Sequence, residues 1–225
     1  MTSILVLVAI DLEARALARD LGLMPAGGAW PHFRGGALEV ACVGLRASLI
    51  EQRAPAFRSS SLVVSAGACG ALSPALAEGA LVVPETVIAP DGERLTTASI
   101  AGVQRAGALL TADAVAETAE AKARLWLETG AVAVDMESAP IVRWAQARGV
   151  RATVVRGVSD TAATGVPADL AALVAADGRV RPGPAARAIL TRPAALGQAL
   201  ALRRGTTAAL RAVASTLAGV ARSAW

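Results

Sequence analysis

Three short segments of the sequence place acidic, glycine or hydroxyl residues at the end of an apolar run. The first, residues 65–72, reads Ser-Ala-Gly-Ala-Cys-Gly-Ala-Leu. Glycines at such a point allow backbone N–H groups to approach an anion or a sugar closely. Because no Gly-Lys-Ser/Thr follows, the segment does not match a Walker phosphate-binding loop. From spacing alone, an ordinary strand-to-helix turn explains it equally well.

The second and third segments each place carboxylates at the predicted end of a strand. Asp135 and Glu137 follow one apolar run, and Asp160 follows the next. A carboxylate at this point can cap the helix that comes after it, or it can accept hydrogen bonds from two sugar hydroxyls. Asp160 lies 23 residues beyond Glu137, which fits one β-α-β crossover. We therefore expect both acids on neighbouring strands at the same edge of a sheet.

These segments need a scaffold of buried strands and amphipathic helices. Several apolar runs are continuous rather than alternating, which is typical of strands covered on both faces. Amphipathic stretches lie between them, so the order predicts an α/β fold with a parallel or mixed sheet, in which ligands bind at the carboxyl ends of strands. The predicted strands are residues 4–9, 38–43, 62–65, 80–88, 108–111, 131–136 and 152–155, and the predicted helices are residues 12–21, 48–57, 117–127 and 139–148.

Composition narrows the class of protein. Of the 225 residues, 54% are hydrophobic and 18% are charged, which excludes extended disorder and favours one large domain. Cys42 and Cys69 are far apart and His32 is the single histidine, so we expect no disulfide framework, no metal site and no cofactor. Asp11 interrupts the first apolar run, which therefore predicts a core strand, not a signal peptide, in a cytoplasmic protein.

The C-terminal segment differs in charge from the rest of the chain. None of the 18 acidic residues follows Asp177, whereas eight basic residues do: Arg179, Arg181, Arg187, Arg192, Arg203, Arg204, Arg211 and Arg222. We therefore predict a main domain over residues 1–177 and a basic, Ala/Leu/Arg-rich helical tail over residues 178–225. The tail either packs on the same domain or contacts anionic lipid at the inner membrane face. With few aromatic residues and a confined basic excess, we expect no nucleic-acid partner.

Taken together, the segments resemble a known family. Residues 65–72, 134–138 and 156–160, preceded by Val8-Ala9-Ile10-Asp11-Leu12-Glu13, are similar in order and spacing to the motifs of nucleoside phosphorylases and of methylthioadenosine/S-adenosylhomocysteine nucleosidases. A narrower resemblance is to the hopanoid-associated branch, which is understood to remove adenine from adenosylhopane. The segments that carry it are residues 13–15, 109–113, 119–122, 135–138, 177–179 and 192–196.

The resemblance implies a three-layer fold over residues 1–177, with a central, mixed, twisted sheet flanked by helices. It also implies cleavage of the N-glycosidic bond of an adenine nucleoside. Asp160 matches the general acid that protonates N7 of adenine while the ribose develops oxocarbenium character. For that purpose Asp160 must hold a proton near neutrality in a partly desolvated setting. Glu13 matches the carboxylate that orients the attacking water, and Glu137 matches the ligand of the ribose 2′- and 3′-hydroxyls.

The resemblance also implies substrate contacts, and three positions depart from the family pattern. The implied contacts are Met136 against the sugar, Ser159 beside the base or Asp160, Val115 near the base, and the backbone of Ala68, Cys69 and Gly70 along the ribose. Ala68 stands where a serine is usual, Ile10 where a methionine is usual, and Val115 where an aromatic residue stacks on adenine. One alternative is therefore a family member that binds nucleosides without turnover.

A second alternative is phosphorolysis in place of hydrolysis. Arg15 and Arg46 are candidates for binding phosphate, whereas Glu13 would repel it. The expected partner is a small-molecule nucleoside, with or without phosphate. Relatives in this family are commonly dimers, so we expect a homo-oligomer by analogy.

Overall fold

The computed structural model describes residues 3–166, 174–180 and 193–223. Within these residues, eleven strands form one mixed sheet with helices on both faces. The strands are β1 (Ile4–Val8), β2 (Met24–Pro25), β3 (His32–Gly35), β4 (Leu38–Cys42), β5 (Leu62–Ala71), β6 (Leu81–Val82), β7 (Thr86–Ile88), β8 (Arg94–Thr96), β9 (Ala108–Thr111), β10 (Ala133–Asp135) and β11 (Arg151–Asp160). The helices are α1 (Asp11–Asp20), α2 (Ile50–Arg53), α3 (Ala119–Thr129), α4 (Ser138–Gln146) and α5 (Pro193–Ser223).

The order of strands is β2-β3-β4-β1-β5-β10-β9-β7-β8, and β11 pairs with β5 and β6. The central strand β1 is apolar throughout, and both of its faces are covered. On β1, Val6 belongs to a cluster with Leu17 of α1 and Leu217 of α5, whereas its neighbour Leu5 belongs to a cluster with Ile141 of α4. The predicted three-layer α/β fold with a mixed sheet is confirmed.

Two predicted turns are strand instead. β5 and β11 continue past the predicted ends to Ala71 and Asp160, and they pair in parallel from Leu62 opposite Arg151 to Cys69 opposite Val158. The glycine and polar residues of both segments remain in the ladder because its hydrogen bonds come from the backbone and need no apolar side chain.

The expectation that Glu137 and Asp160 follow neighbouring strands is wrong. β10 pairs with β5 in the antiparallel direction, through Val134 opposite Gly70, whereas β11 pairs with β5 in parallel. β5 therefore lies between β10 and β11, and the two acids approach the same end of β5 from opposite sides. Sequence spacing cannot show this, because it does not record that β11 pairs with β5 over a long parallel ladder.

The described helix of the predicted tail, α5, contributes to the core. Leu217 and neighbouring apolar residues of α5 are buried against the sheet. The helix and β11 meet through glycines: a Cβ on Gly157 would lie 2.4 Å from the carbonyl oxygen of Ala209, and one on Gly205 would lie 1.9 Å from that of Ser159. From Gly205 onward, the apolar face of α5 is therefore occupied by protein, as the packed-helix alternative requires.

The residues around the predicted boundary at 177 also form backbone hydrogen bonds with the main domain. The backbone N–H of Asp11 donates to the carbonyl oxygen of Gly178 at 3.0 Å, and that of Leu45 donates to Ala176 at 3.0 Å. Three of the eight tail arginines, at positions 181, 187 and 192, lie outside the described residues. In the described part of the chain, no helix is both long and apolar enough to cross a membrane.

Candidate active site

A cavity of about 490 Å³ lies where β1, β5, β10 and β11 come together, within the range for small-molecule sites. Ten of the eleven residues singled out in the sequence line it: Glu13, Arg46, Ala68, Cys69, Gly70, Val115, Met136, Glu137, Ser159 and Asp160. Arg15 does not, and lines a separate cavity beside Trp30 and Pro31. Because Arg15 lies two positions after Glu13 in α1, its side chain points to another face of this helix.

Glu13 reaches the cavity from the first turn of α1. Its Oε1 accepts a hydrogen bond from the backbone N–H of Ala68 at 2.9 Å, and its Oε2 accepts from that of Ile10 at 3.4 Å. Burial raises the pKa of the Glu13 carboxyl, while the charge of Arg156 opposes this rise. Gly67 of β5 makes the approach possible: its φ is 137°, and a Cβ there would lie 2.6 Å from Glu13 Oε1.

The two acids around Met136 perform different tasks. Asp135 supports the start of α4, because its Oδ2 accepts from the backbone N–H of Ser138 at 3.1 Å and its Oδ1 accepts from Thr111 Oγ1 at 2.8 Å. Glu137 lines the cavity, and its Oε1 accepts from the backbone N–H of Arg46 at 3.1 Å. The capping interpretation thus applies to Asp135, and Glu137 is left facing the cavity.

The pKa of Glu137 is raised to about 7. Burial is the largest cause, and the negative charges of Asp135 and Glu13 add to it. Arg156 and the backbone N–H of Arg46 act in the opposite direction. The carboxyl that faces the cavity therefore changes charge within the physiological pH range.

Arg156 is the buried cation beneath this cluster of acids. Its Nη2 lies 2.8 Å from Asp135 Oδ2 and 3.8 Å from Glu137 Oε2, and it donates to Ser65 Oγ at 3.0 Å. Burial alone would lower the pKa of Arg156, but the surrounding carboxylates, including Glu13, outweigh burial and raise it. Sequence reasoning did not place Arg156 at the centre of the site. The available signal was an arginine inside the otherwise uncharged run from residue 152 to residue 159.

Asp160 is held on both carboxyl oxygens. Ser159 Oγ lies 2.6 Å from Asp160 Oδ1 and 3.2 Å from the carbonyl oxygen of Cys69, and Lys122 Nζ donates to Asp160 Oδ2. A hydroxyl has one proton, so Ser159 donates either to an ionised Asp160 or to Cys69. In the second arrangement, a proton on Asp160 Oδ1 can be donated to Ser159 Oγ. The geometry therefore accommodates both charge states of Asp160.

The cavity has many apolar residues in its wall. Val115, Val166, Val174 and Leu202 are among the residues that line it, and no described lining residue is aromatic. Arg46 bridges this region: its guanidinium donates to the carbonyl oxygen of Asp113 at 2.5 Å, and its φ of 54° is unusual for a residue other than glycine. Val115 itself lines the cavity.

Comparison with known proteins identifies the fold of the chain. A family model described as Phosphorylase superfamily matches residues 96–191, the part of the chain that contains Glu137 and Asp160. A search among curated proteins by sequence finds no match. Many solved structures share the fold, which is that of the nucleoside phosphorylases and nucleosidases.

Among the similar structures, futalosine hydrolase of Helicobacter pylori strain 26695 has a TM-score of 0.71 at 18% identity, covering 100% of this chain and 98% of its own. The 5′-methylthioadenosine nucleosidase of Arabidopsis thaliana has a TM-score of 0.70 at 17% identity, covering 99% and 96%. S-adenosylhomocysteine nucleosidase from Streptococcus pyogenes has a TM-score of 0.68 at 17% identity, covering 96% and 94%. At these identities the likeness is one of fold.

Proposed function

We propose that this protein hydrolyses the N-glycosidic bond of an adenine nucleoside. The observation that carries the proposal is the convergence of Glu13, Glu137 and Asp160 on the wall of one cavity, although they come from three distant segments. The superfamily match supports it, and so do the names of the similar structures, which are nucleosidases and a futalosine hydrolase.

Each side chain has a task in this reaction. Asp160 donates a proton to N7 of adenine as the C1′–N9 bond breaks, and the electron pair of that bond leaves with the base. Glu137 accepts hydrogen bonds from the ribose 2′- and 3′-hydroxyls, and Met136 packs against the sugar. Glu13 orients a water molecule toward C1′ and takes its proton. The carboxylates around the ribose also stabilise the positive charge that develops on the sugar.

The charges of the cavity favour water over phosphate as the nucleophile. Arg156 is already balanced by Asp135 and Glu137. The backbone N–H of Ala68, a donor that phosphate would need, is bound to Glu13. A phosphate dianion at this point would meet a surplus of buried carboxylates, which would repel it.

For the 5′ side of the nucleoside, we propose an extended apolar substituent, as in adenosylhopane in hopanoid biosynthesis. Support comes from the narrower sequence resemblance and from the apolar residues in the cavity wall, which include Leu202 of α5. Methylthioadenosine or S-adenosylhomocysteine is the alternative substrate. The test is an adenine-release assay that compares adenosylhopane with methylthioadenosine, each with and without phosphate, by chromatography of the products.

Hydrolysis predicts free ribose product without phosphate, and formation of a ribose 1-phosphate would identify a phosphorylase instead. Asp160→Asn should lower kcat by about 10²–10⁴-fold, as expected for loss of a general acid, whereas Asp91→Asn on the exposed β7–β8 connection should not. Glu13→Gln should abolish hydrolysis. Binding of adenine by a wild-type protein that releases none from any nucleoside would favour the non-catalytic alternative.

We further propose a homodimeric cytoplasmic protein that meets its substrate at the inner membrane face. Its contact would come from the exposed arginines of α5, because the apolar face of that helix is occupied. Near an anionic surface, each arginine contributes about 1 kcal/mol. Replacing Arg203, Arg211 and Arg222 with Glu should abolish co-sedimentation with anionic vesicles at low salt. Equal sedimentation of the wild-type and substituted chains would disprove the membrane contact.

A further inference from the structure

Lys122 is the single lysine in a chain with 22 lysine and arginine residues. Every other cation of the protein is an arginine, so the choice of lysine at this position stands out from the composition. The two side chains differ chemically in a relevant way. A guanidinium keeps its protons in proteins, whereas the ammonium of a lysine is a compact charge that can release a proton.

The place of Lys122 in its helix is also unusual. It is 1% exposed and is the one buried residue of α3, whereas Leu127 on the same helix is 83% exposed. The orientation of α3 is fixed at its start, where Thr118 Oγ1 accepts from the backbone N–H of Ala121 at 3.1 Å. A helix that buries its lysine and exposes its leucine is not placed by the hydrophobic effect alone, because burying an amino group carries a desolvation cost.

The contacts of Lys122 lead to the proposed general acid. Nζ donates to Asp160 Oδ2 and to the carbonyl oxygen of Thr161, the latter at 2.8 Å. Gly70 of β5 covers the pair closely, since a Cβ there would lie 3.0 Å from Asp160 Oδ2 and 3.4 Å from Lys122 Nζ. Lys122, Gly70 and Asp160 all line the cavity. The pair therefore lies in the wall of the cavity and is largely buried.

Resting on the N-glycosidic cleavage proposed above, we propose that Lys122 is a positioning residue that holds Asp160 and stores the proton that Asp160 delivers. An ammonium beside a carboxylate and an amine beside a carboxylic acid contain the same protons. Transfer along the Nζ–H···Oδ2 hydrogen bond breaks an N–H bond and forms an O–H bond, so Asp160 becomes an acid without a proton from solvent.

The proton balance closes over one turnover. Asp160 then gives the proton to N7 of the base, and the electron pair of the C1′–N9 bond remains on N9. Water adds to C1′ and loses one proton to Glu13, which passes it to solvent. After the base leaves, the Lys122 amine takes one proton from solvent. No oxidant, reductant or further reactant is needed.

The test compares two leaving groups. Adenine needs protonation to leave, whereas the phenolate of 4-nitrophenyl β-D-riboside does not. Lys122→Met should lower kcat on the adenine nucleoside by about 100-fold or more, with KM within a few-fold. Its rate on the nitrophenyl riboside should fall far less. Arg124→Met, which removes an exposed cation from the same helix, is the matched control and should match wild type on both substrates.

A double-mutant cycle on the adenine nucleoside gives a second, independent measurement. If Lys122 acts through Asp160, the double variant Lys122→Met/Asp160→Asn should be within about threefold of Asp160→Asn alone, far from the product of the two losses. The double variant removes both charges of the buried pair and so avoids leaving an unpaired carboxylate. If Lys122→Met does not fold, Lys122→Gln, which keeps a donor for Asp160, carries the same expectation.

The inference is overturned if a folded Lys122 variant cleaves the adenine nucleoside within threefold of wild type. Equal losses on both leaving groups, or independent losses in the cycle, would also overturn it and indicate a purely structural contact. A wild-type protein that releases no base from any nucleoside contradicts the proposed function instead. The two failures are therefore distinguishable.

Discussion

The raised pKa of Glu137 makes the stability of the protein depend on pH in a direction that can be measured. Burial beside Asp135 raises this pKa from the ordinary 4.5 to about 7. The folded protein thus binds the proton more tightly than the unfolded chain does. The resulting contribution to the free energy of unfolding is complete below pH 4.5 and is lost as the pH rises through 7.

The magnitude follows from the two pKa values. At about 1.4 kcal/mol per pH unit, the full contribution is about 3–4 kcal/mol, of which about 2–3 kcal/mol is lost between pH 5 and pH 8. Glu137 is 6% exposed, so solvent screening does not reduce it greatly. Glu137→Gln removes the titration, and the unfolding free energy of wild type minus that of the variant should therefore fall by about this amount over the same range.

The assay is urea unfolding followed by circular dichroism at pH 5, 6, 7 and 8 and at constant ionic strength. Glu128→Gln on the exposed face of α3 is the matched control and should give a difference from wild type that stays constant. Glu13 also has a raised pKa, and its charge interacts with that of Glu137, so the measured difference reports the titration of this pair of acids. A constant difference between wild type and Glu137→Gln from pH 5 to pH 8 would refute the electrostatic account of this cluster.

Three further substitutions test the packing around the cavity. Arg156→Met should lower the free energy of unfolding by about 3–5 kcal/mol because it leaves buried carboxylates unpaired. Its control, Arg143→Met, breaks exposed ion pairs with two acids and should lower the free energy of unfolding by less than about 1 kcal/mol. Urea titration measures both changes. Gly67→Ala should abolish activity and destabilise the fold by about 1–3 kcal/mol or more, whereas Gly92→Ala, which also has a positive φ but no atom within 4 Å of the added Cβ, reports backbone strain alone and should keep full activity. Gly157→Ala should lower Tm by separating β11 from α5; an unchanged Tm in a scan at matched pH would contradict the close contact.

Much of the fold follows from local pattern. Continuous apolar runs such as residues 4–8 predict strands buried on both faces, and the amphipathic segments between them predict the covering helices. Because strand ends collect at one place in such folds, residues found at the ends of distant runs, including Glu137 and Asp160, could be assigned to one cavity before any coordinates were known. Ten of the eleven chosen residues line that cavity.

The sequence pattern was less informative where the same residues fit two different structures. Residues 65–71 fit either a glycine turn or a strand, and pairing with β11 decided for the strand. The apolar face of α5 fits either a lipid surface or a protein core, and close packing on Gly157 decided for the core. Asp135 and Glu137 are both acids beside Met136, yet Asp135 accepts a hydrogen bond from the backbone N–H of Ser138 at the start of α4, whereas Glu137 accepts one from that of Arg46.

The sequence by itself determined which elements form and which acids lie near the cavity, because both depend on periodicity and on residues close in the chain. Only the tertiary structure decided how those acids are paired. Arg156 meets Asp135, and Lys122 meets Asp160 across 38 positions of chain. An ion pair depends on the relative placement of two elements, which no spacing within either element records. The ion pairs of this cavity, including that between Lys122 and Asp160, are therefore properties of the folded chain.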